Sequence, residues 1–228
     1  MIGIIGAMDI EVEKIKGFLT DVREEKISGV NFVQGKFSGK DVVVAKCGVG
    51  KVFAGLCAEA MILKYSPELI INVGVAGCLD STLKIGDIVI ADSVCQHDMD
   101  TSPLGDPVGM LSDINIIKIS ADKKAYELFA ECAKELQLPY SIGTIASGDQ
   151  FVSSAEKKQF IIDNFGAKSC EMEGGAIGHV CFVNNVPFAV LRAMSDGADD
   201  GAKMDFPTFA KMAAENSTQV IKAFLSKF

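Results

Sequence analysis

Short, almost wholly apolar runs alternate along the chain with longer segments of helical periodicity. Ile2 to Ala7 is continuously apolar and rich in β-branched residues, the mark of a strand buried on both faces. Asp9 to Leu19 has apolar residues at 12, 15, 18 and 19 and predicts a helix. Residues 31–37 and 41–47 predict strands of a hairpin around Ser38-Gly39-Lys40. A helix over 51–65 stops at Ser66-Pro67, and Leu69 to Val75 and Gly86 to Ala91 predict further buried strands. Asp122 to Leu138 predicts a helix and Ser141 to Ala146 a strand. Ser153, with Glu156 three residues on, forms a capping box whose helix ends at Gly166. After Glu173 come a helix to about Val183, a strand over 186–192, and a closing helix from Asp205 to Phe228.

Strands that alternate with helices and are nearly all apolar predict an α/β fold with a mainly parallel central sheet. Ligands of such sheets bind beyond the carboxyl ends of the strands. Met8 to Glu11, Gly74 to Gly77, Ser147 to Val152 and Arg192 to Asp196 each follow a predicted strand, so they converge on one edge. The longest irregular stretch, His97 to Ser112, holds Pro103, Gly105, Pro107 and Gly109 among scattered acids, as in a lid or an interface loop.

Length and composition narrow the function classes. The 228 residues make one large domain or two small ones, and 49% hydrophobic residues supply a substantial core. A net charge of −8 disfavours a nucleic-acid surface. The first apolar run ends at Met8 without a basic flank, so no signal peptide is expected, and no run reaches the ~20 residues of a membrane span. Seven cysteines lie mostly in apolar runs without metal-like spacing, as expected of small buried hydrophobes in a reducing cytoplasm.

Several motifs fall short of the chemistry they invite. Gly3-x-x-Gly6 does not complete a dinucleotide fingerprint, and Gly48-Val49-Gly50-Lys51 fails the phosphate-loop pattern at Ala45 and Val52. Gly74 to Gly77 either lets a ligand approach the backbone closely or simply turns the chain. His179 sits in an apolar helix as a core or interface residue, and His97 has Asp98 and Asp100 beside it but no further metal ligands nearby. These residues supply no set of metal ligands.

The acids carry the chemistry. Glu11 follows the first strand, Glu171 and Glu173 precede an apolar helix, and Asp196 follows an interior strand. Ionised carboxylates in such settings are costly unless they are hydrogen-bonded or reactive. Together, Met1 to Glu11, Val73 to Gly77, Ser147-Gly-Asp-Gln-Phe151, Glu171-Met172-Glu173 and Arg192-Ala-Met-Ser-Asp196 resemble the 5′-methylthioadenosine/S-adenosylhomocysteine nucleosidases of the nucleoside phosphorylase superfamily. The likeness runs over essentially the whole chain.

That resemblance implies a single-domain, three-layer α/β/α fold over residues 1–228 with a mixed, mainly parallel sheet. It also implies hydrolysis of the N-glycosidic bond of 5′-methylthioadenosine and S-adenosylhomocysteine, with 5′-deoxyadenosine a further candidate, in methionine salvage and methyl-cycle recycling. Asp196 would bind the adenine N7/N6 edge and protonate N7, Phe151 would stack on the purine, and the Val152 backbone would read its edge. Glu173 and the Met172 amide would hold the ribose hydroxyls, and Glu11 would polarise the attacking water with Arg192 nearby. Val49 and Phe206 would line the 5′ pocket, and Met8, Ala76, Gly77, Glu171 and Ser195 complete the binding set. The family uses no metal or organic cofactor, so none is expected here, and its usual homodimer would complete each pocket with Thr101 and Leu104 of the neighbour.

This chain departs from the best-known members at Val75, where they carry Ser, and at Cys78, where Gly is frequent. Thr101 and Leu104 replace a more apolar, partly aromatic pair. Three other readings compete: a phosphorolytic nucleoside phosphorylase, an aminofutalosine-type nucleosidase, and a non-catalytic nucleoside sensor. The first needs several phosphate-binding arginines, and the chain has only Arg23 and Arg192.

Overall fold

The computed structural model describes residues 1–199 and 201–228, with the backbone alone at residue 204. Its centre is one mixed sheet. β1 (Ile2–Gly6) lies between β4 (Lys40–Lys46) and β5 (Leu69–Cys78), parallel to both. β3 (Val30–Phe37) and β2 (Thr20–Ile27) extend the β4 side as antiparallel neighbours. On the other side, β5 pairs with both β10 (Phe188–Asp196) and the three-residue β9 (Ser169–Glu171). β6 (Ile88–Gln96) and β8 (Tyr140–Ser147) complete the circuit β10-β6-β8-β9-β5, so half of the sheet closes on itself. β7 (Ile119–Ser120) pairs with β6.

Alternation along the strands builds a core on each face of the sheet. Val42, Val44, Ile71 and Val73 point to one side, where α1 (Asp9–Lys16), α3 (Lys123–Glu135) and α6 (Ala202–Lys227) pack. Val43, Ala45 and Ile70 point to the other, under α2 (Lys51–Tyr65) and α5 (Gly174–Val183). α4 (Ala155–Phe165) covers a third cluster around Ile161 and Phe165. The three-layer α/β arrangement expected from the sequence is thus the one observed.

Several boundaries differ from the sequence expectation, each for a physical reason. β2 lies outside the strands that the apolar pattern predicts, because Asp21, Arg23, Glu24, Glu25 and Lys26 leave no apolar face and only Ile27 at its end is half-buried. Such charges on an edge strand discourage pairing with another chain. β5 and β10 run on to Cys78 and Asp196, so Gly74 to Gly77 and Arg192 to Asp196 are strand residues rather than loops. They remain in strand because their neighbours keep pairing with them up to the sheet's carboxyl edge. β6 likewise continues past Ala91 to Gln96, with a register shift near Asp92. α4 is capped by Ser154, which accepts from Lys157 N, not by Ser153. Gly166 ends it as expected.

All seven cysteines are buried and free. Among the described residues no helix is long and apolar enough to cross a membrane.

Candidate active site

A cavity of about 130 Å³ opens at the carboxyl edge of the sheet. Seven segments wall it: the β1–α1 junction, the β4–α2 connection, the end of β5, the turn after β8, the β9–α5 junction, the end of β10 and the start of α6.

Glu11 lies in the first turn of α1 and is 2% exposed. One carboxylate oxygen accepts from the Ala7 and Met8 amides at 2.7 and 2.9 Å, and the other from the Val75 amide at 3.0 Å. Burial nevertheless raises its pKa, against the pull of Arg192 and the three amides. Gly74 makes this packing possible, because a Cβ there would overlap both Glu11 Oε1 and Arg192 Nη1.

Arg192, from β10, is the largest fully buried side chain. Its Nη2 donates to Glu171 and Asn72 and approaches Glu173 at 3.4 Å, while Nη1 meets the Val75 carbonyl at 3.3 Å. Burial alone would lower its pKa, yet Glu171, Glu173 and Glu11 hold the guanidinium above its ordinary value.

The two glutamates of the Glu-Met-Glu segment have different environments. Glu171 ends β9 and receives the Glu173 amide at 3.0 Å, the Gly174 amide at 2.8 Å, the Ser147 hydroxyl and Arg192. Its carboxylate is thus occupied within the wall, at the start of α5, where the helix dipole favours negative charge. Glu173 precedes α5 and accepts from the Gly50 amide at 3.0 Å. Gly50 has φ +101°, a backbone conformation side chains rarely adopt. Burial, reinforced by the negative charges of Glu171 and Glu11, raises Glu173 to about 7 against the pull of Arg192. Three carboxyl groups around one guanidinium carry an excess of negative charge, which favours keeping one of them protonated.

Asp196 closes β10 and is 3% exposed. Its oxygens accept from the Ala198 amide and the Ser195 hydroxyl, both at 2.9 Å. Burial raises its pKa, with the negative charges of Asp205 and Asp199 adding to the effect. At the cavity wall Phe151 meets Phe206 edge to face, with ring centroids 5.6 Å apart.

The phosphorylase superfamily model matches residues 1–226. The 5′-methylthioadenosine/S-adenosylhomocysteine nucleosidase of Staphylococcus aureus is 39% identical over 228 residues, all of both chains. The chain belongs to this nucleosidase family. Among solved structures, the nucleosidase of Neisseria meningitidis in complex with methylthio-immucillin-A superposes with a TM-score of 0.96 at 31% identity, covering 100% of this chain and 99% of that one. The futalosine hydrolase of Helicobacter pylori gives 0.95 at 36% identity, covering 100% and 97%.

The residues expected of a nucleosidase site gather as a group. Met8, Glu11, Val49, Ala76, Gly77, Phe151, Val152, Glu171, Met172, Glu173, Arg192, Ser195, Asp196 and Phe206 all line the cavity. Thr101 and Leu104 do not. Thr101 precedes and Leu104 ends a 3₁₀ turn, where Leu104 is 85% exposed. Sequence reasoning missed the wall residues Ala7, Gln150 and Cys170, and the buried partners Ser147 and Asn72. Asn72 had a readable signal, as the one amide inside an otherwise apolar strand. His97 is buried with both ring nitrogens unpartnered by protein, and burial lowers its pKa. Among the described residues no group of His, Cys, Asp and Glu side chains converges as metal ligands.

Proposed function

We propose that this protein hydrolyses the N-glycosidic bond of 5′-methylthioadenosine and S-adenosylhomocysteine, releasing adenine and a 5-thioribose. One observation carries the reading: three separately held carboxyl groups, all with raised proton affinity, wall one cavity beside an aromatic pair. Breaking an N-glycosidic bond makes three demands, namely a proton for the leaving base, negative charge near the oxocarbenium-like sugar, and a base for water. Asp196, Glu173 and Glu11 meet them in that order. Phe151 stacks on the purine and the Val152 backbone reads its edge. The Met172 amide assists Glu173 at the ribose, while Val49 and Phe206 take the 5′ group.

Hydrolysis rather than phosphorolysis follows from the arginines. Arg23 lies exposed on the edge strand β2, and Arg192 is committed to Glu171, Asn72 and Val75. Adenine release from methylthioadenosine is therefore expected to proceed at the same rate with and without phosphate, as read by a coupled adenine assay. Turnover that rises with phosphate and yields a sugar 1-phosphate would overturn the hydrolase reading. The likeness to futalosine hydrolase supports aminofutalosine as a second substrate class, and the same assay on that nucleoside tests it.

Residues 1–228 act in this reading as one domain of a cytoplasmic homodimer serving methionine salvage and the methyl cycle. Val52, Phe53 and Leu63 of α2 are exposed, as are Phe182 and Val183 at the end of α5, and Leu104 stands out from its turn. Apolar residues of this kind at the surface fit a subunit interface. Thr101 and Leu104 then reach the partner's 5′ pocket. Leu104→Asp is expected to weaken dimerisation and raise KM for bulky 5′-thio substrates together, as measured by sedimentation and steady-state kinetics. A fully active monomer at micromolar concentration would refute the shared pocket.

A further inference from the structure

Outside the cavity wall, three loops at the carboxyl edge of the sheet are tied through one lysine. Lys51 opens α2, and its backbone amide donates to Asp149 Oδ1 at 2.7 Å. Its ammonium donates to Asp98 Oδ1 at 2.7 Å and to Gln96 Oε1 at 3.1 Å. The Asp149 amide in turn donates to Asp98 Oδ2 at 2.9 Å, which closes a ring through Lys51, Asp98 and Asp149. The Lys51 and Asp98 side chains are 19% and 18% exposed, so the pair is shielded far more than a surface ion pair. Burial alone would raise the pKa of Asp98, but Lys51 and the Asp149 amide outweigh it and hold the carboxylate low.

The ring sits between the two halves of the site. Gly50, next to Lys51, supplies the amide that holds Glu173. Asp149 stands two residues before Phe151 on the turn after β8. Position along one arm governs the ribose acid, and position along the other governs the ring proposed to stack on the base.

We propose that Asp98, Lys51 and Asp149 form a brace that fixes the spacing between Glu173 and Phe151, with Asp98 as its central positioning residue. The inference rests on the nucleosidase reading, since it matters only if one ligand spans both positions. A nucleoside gains affinity from its two linked halves only when both binding groups are held at the matching distance. Adenine alone makes no such demand. Loosening the brace therefore weakens the linked ligand selectively, whereas general damage to the fold weakens both.

The test is calorimetric titration of Asp98→Ala and Lys51→Met with adenine and with the 7-deaza nucleoside methylthiotubercidin, alongside kcat, KM and Tm. Asp98→Asn, which keeps one acceptor, serves if the alanine variant folds poorly. Nucleoside affinity is expected to fall about ten-fold, the size of one charge-assisted hydrogen bond, with adenine affinity within about two-fold. The loss in kcat/KM should appear in KM and, through the displaced Glu173, in kcat as well. Equal weakening of both ligands, or unchanged nucleoside affinity in a folded variant, would overturn the brace. A wild-type protein that binds neither ligand would sink the nucleosidase reading and the brace with it.

Discussion

Replacing Asp196 by Asn is expected to lower kcat by ~10²–10⁴-fold, the usual worth of a positioned general acid, while nucleoside binding is largely kept. The amide still accepts from the Ala198 amide or the Ser195 hydroxyl, so the local hydrogen bonding survives in part. What it lacks is a proton to give. Burial and the charges of Asp199 and Asp205 favour the protonated form of Asp196 in the wild type. The sign follows: kcat/KM should fall as pH rises through this raised pKa, because the acid is then spent before substrate binds. The Asn variant should lose that alkaline limb along with its turnover. A kcat within a few-fold of wild type would remove Asp196 from the role.

Glu11→Gln should also lower kcat, by a similar ~10²–10⁴-fold if Glu11 is the base for water. Here the fold suffers as well. Both carboxylate oxygens accept backbone amides, from Ala7 and Met8 on one side and Val75 on the other. A glutamine has one acceptor oxygen, so at least one buried amide loses its partner, at a cost of about 1–3 kcal/mol. For a chain of this size that amounts to a fall in Tm of about 2–4 °C per kcal/mol. The pH dependence of stability gives a second readout. Because the folded state raises the Glu11 pKa above 4.5, it binds more protons than the unfolded chain in the window above that value. The Glu11 contribution to stability is therefore present in acid and declines as pH rises through the folded pKa. The glutamine variant should lack that component. Wild-type turnover in a protein with lowered Tm would leave Glu11 a structural acid only.

The parts of the fold legible in the sequence were those where burial leaves a one-dimensional trace. β1 is continuously apolar, the first half of β5 is apolar apart from Asn72, and the β3–β4 hairpin turns on Ser38-Gly39-Lys40. β2 left no such trace because its residues face water on an edge. β9 is three residues long and exists by pairing with β5 and β8, a tertiary fact without a local signal. The acids were legible through their placement beside apolar elements and through the family resemblance. Their support was not: Glu11 is held by backbone amides from after β1 and from within β5, and Glu173 by an amide from the start of a different helix. Backbone donors carry no side-chain signature. The distinction between Glu171, saturated by Arg192, Ser147 and α5, and Glu173 likewise emerges only once the chain is folded.

The buried, unpaired cysteines bear on inhibitor chemistry. Cys170 forms part of the cavity wall, close enough to Asp196 to feel its charge. A designer of covalent ligands would see a thiol within reach of a bound nucleoside. Burial, reinforced by Asp196 and Glu171, raises its pKa far above that of an ordinary thiol, and the thiolate is the species that attacks an electrophile. An acrylamide or chloroacetamide appended to the purine should therefore behave as a reversible ligand, and tight inhibition of this pocket has to come from mimicry of the charged sugar and the protonated base.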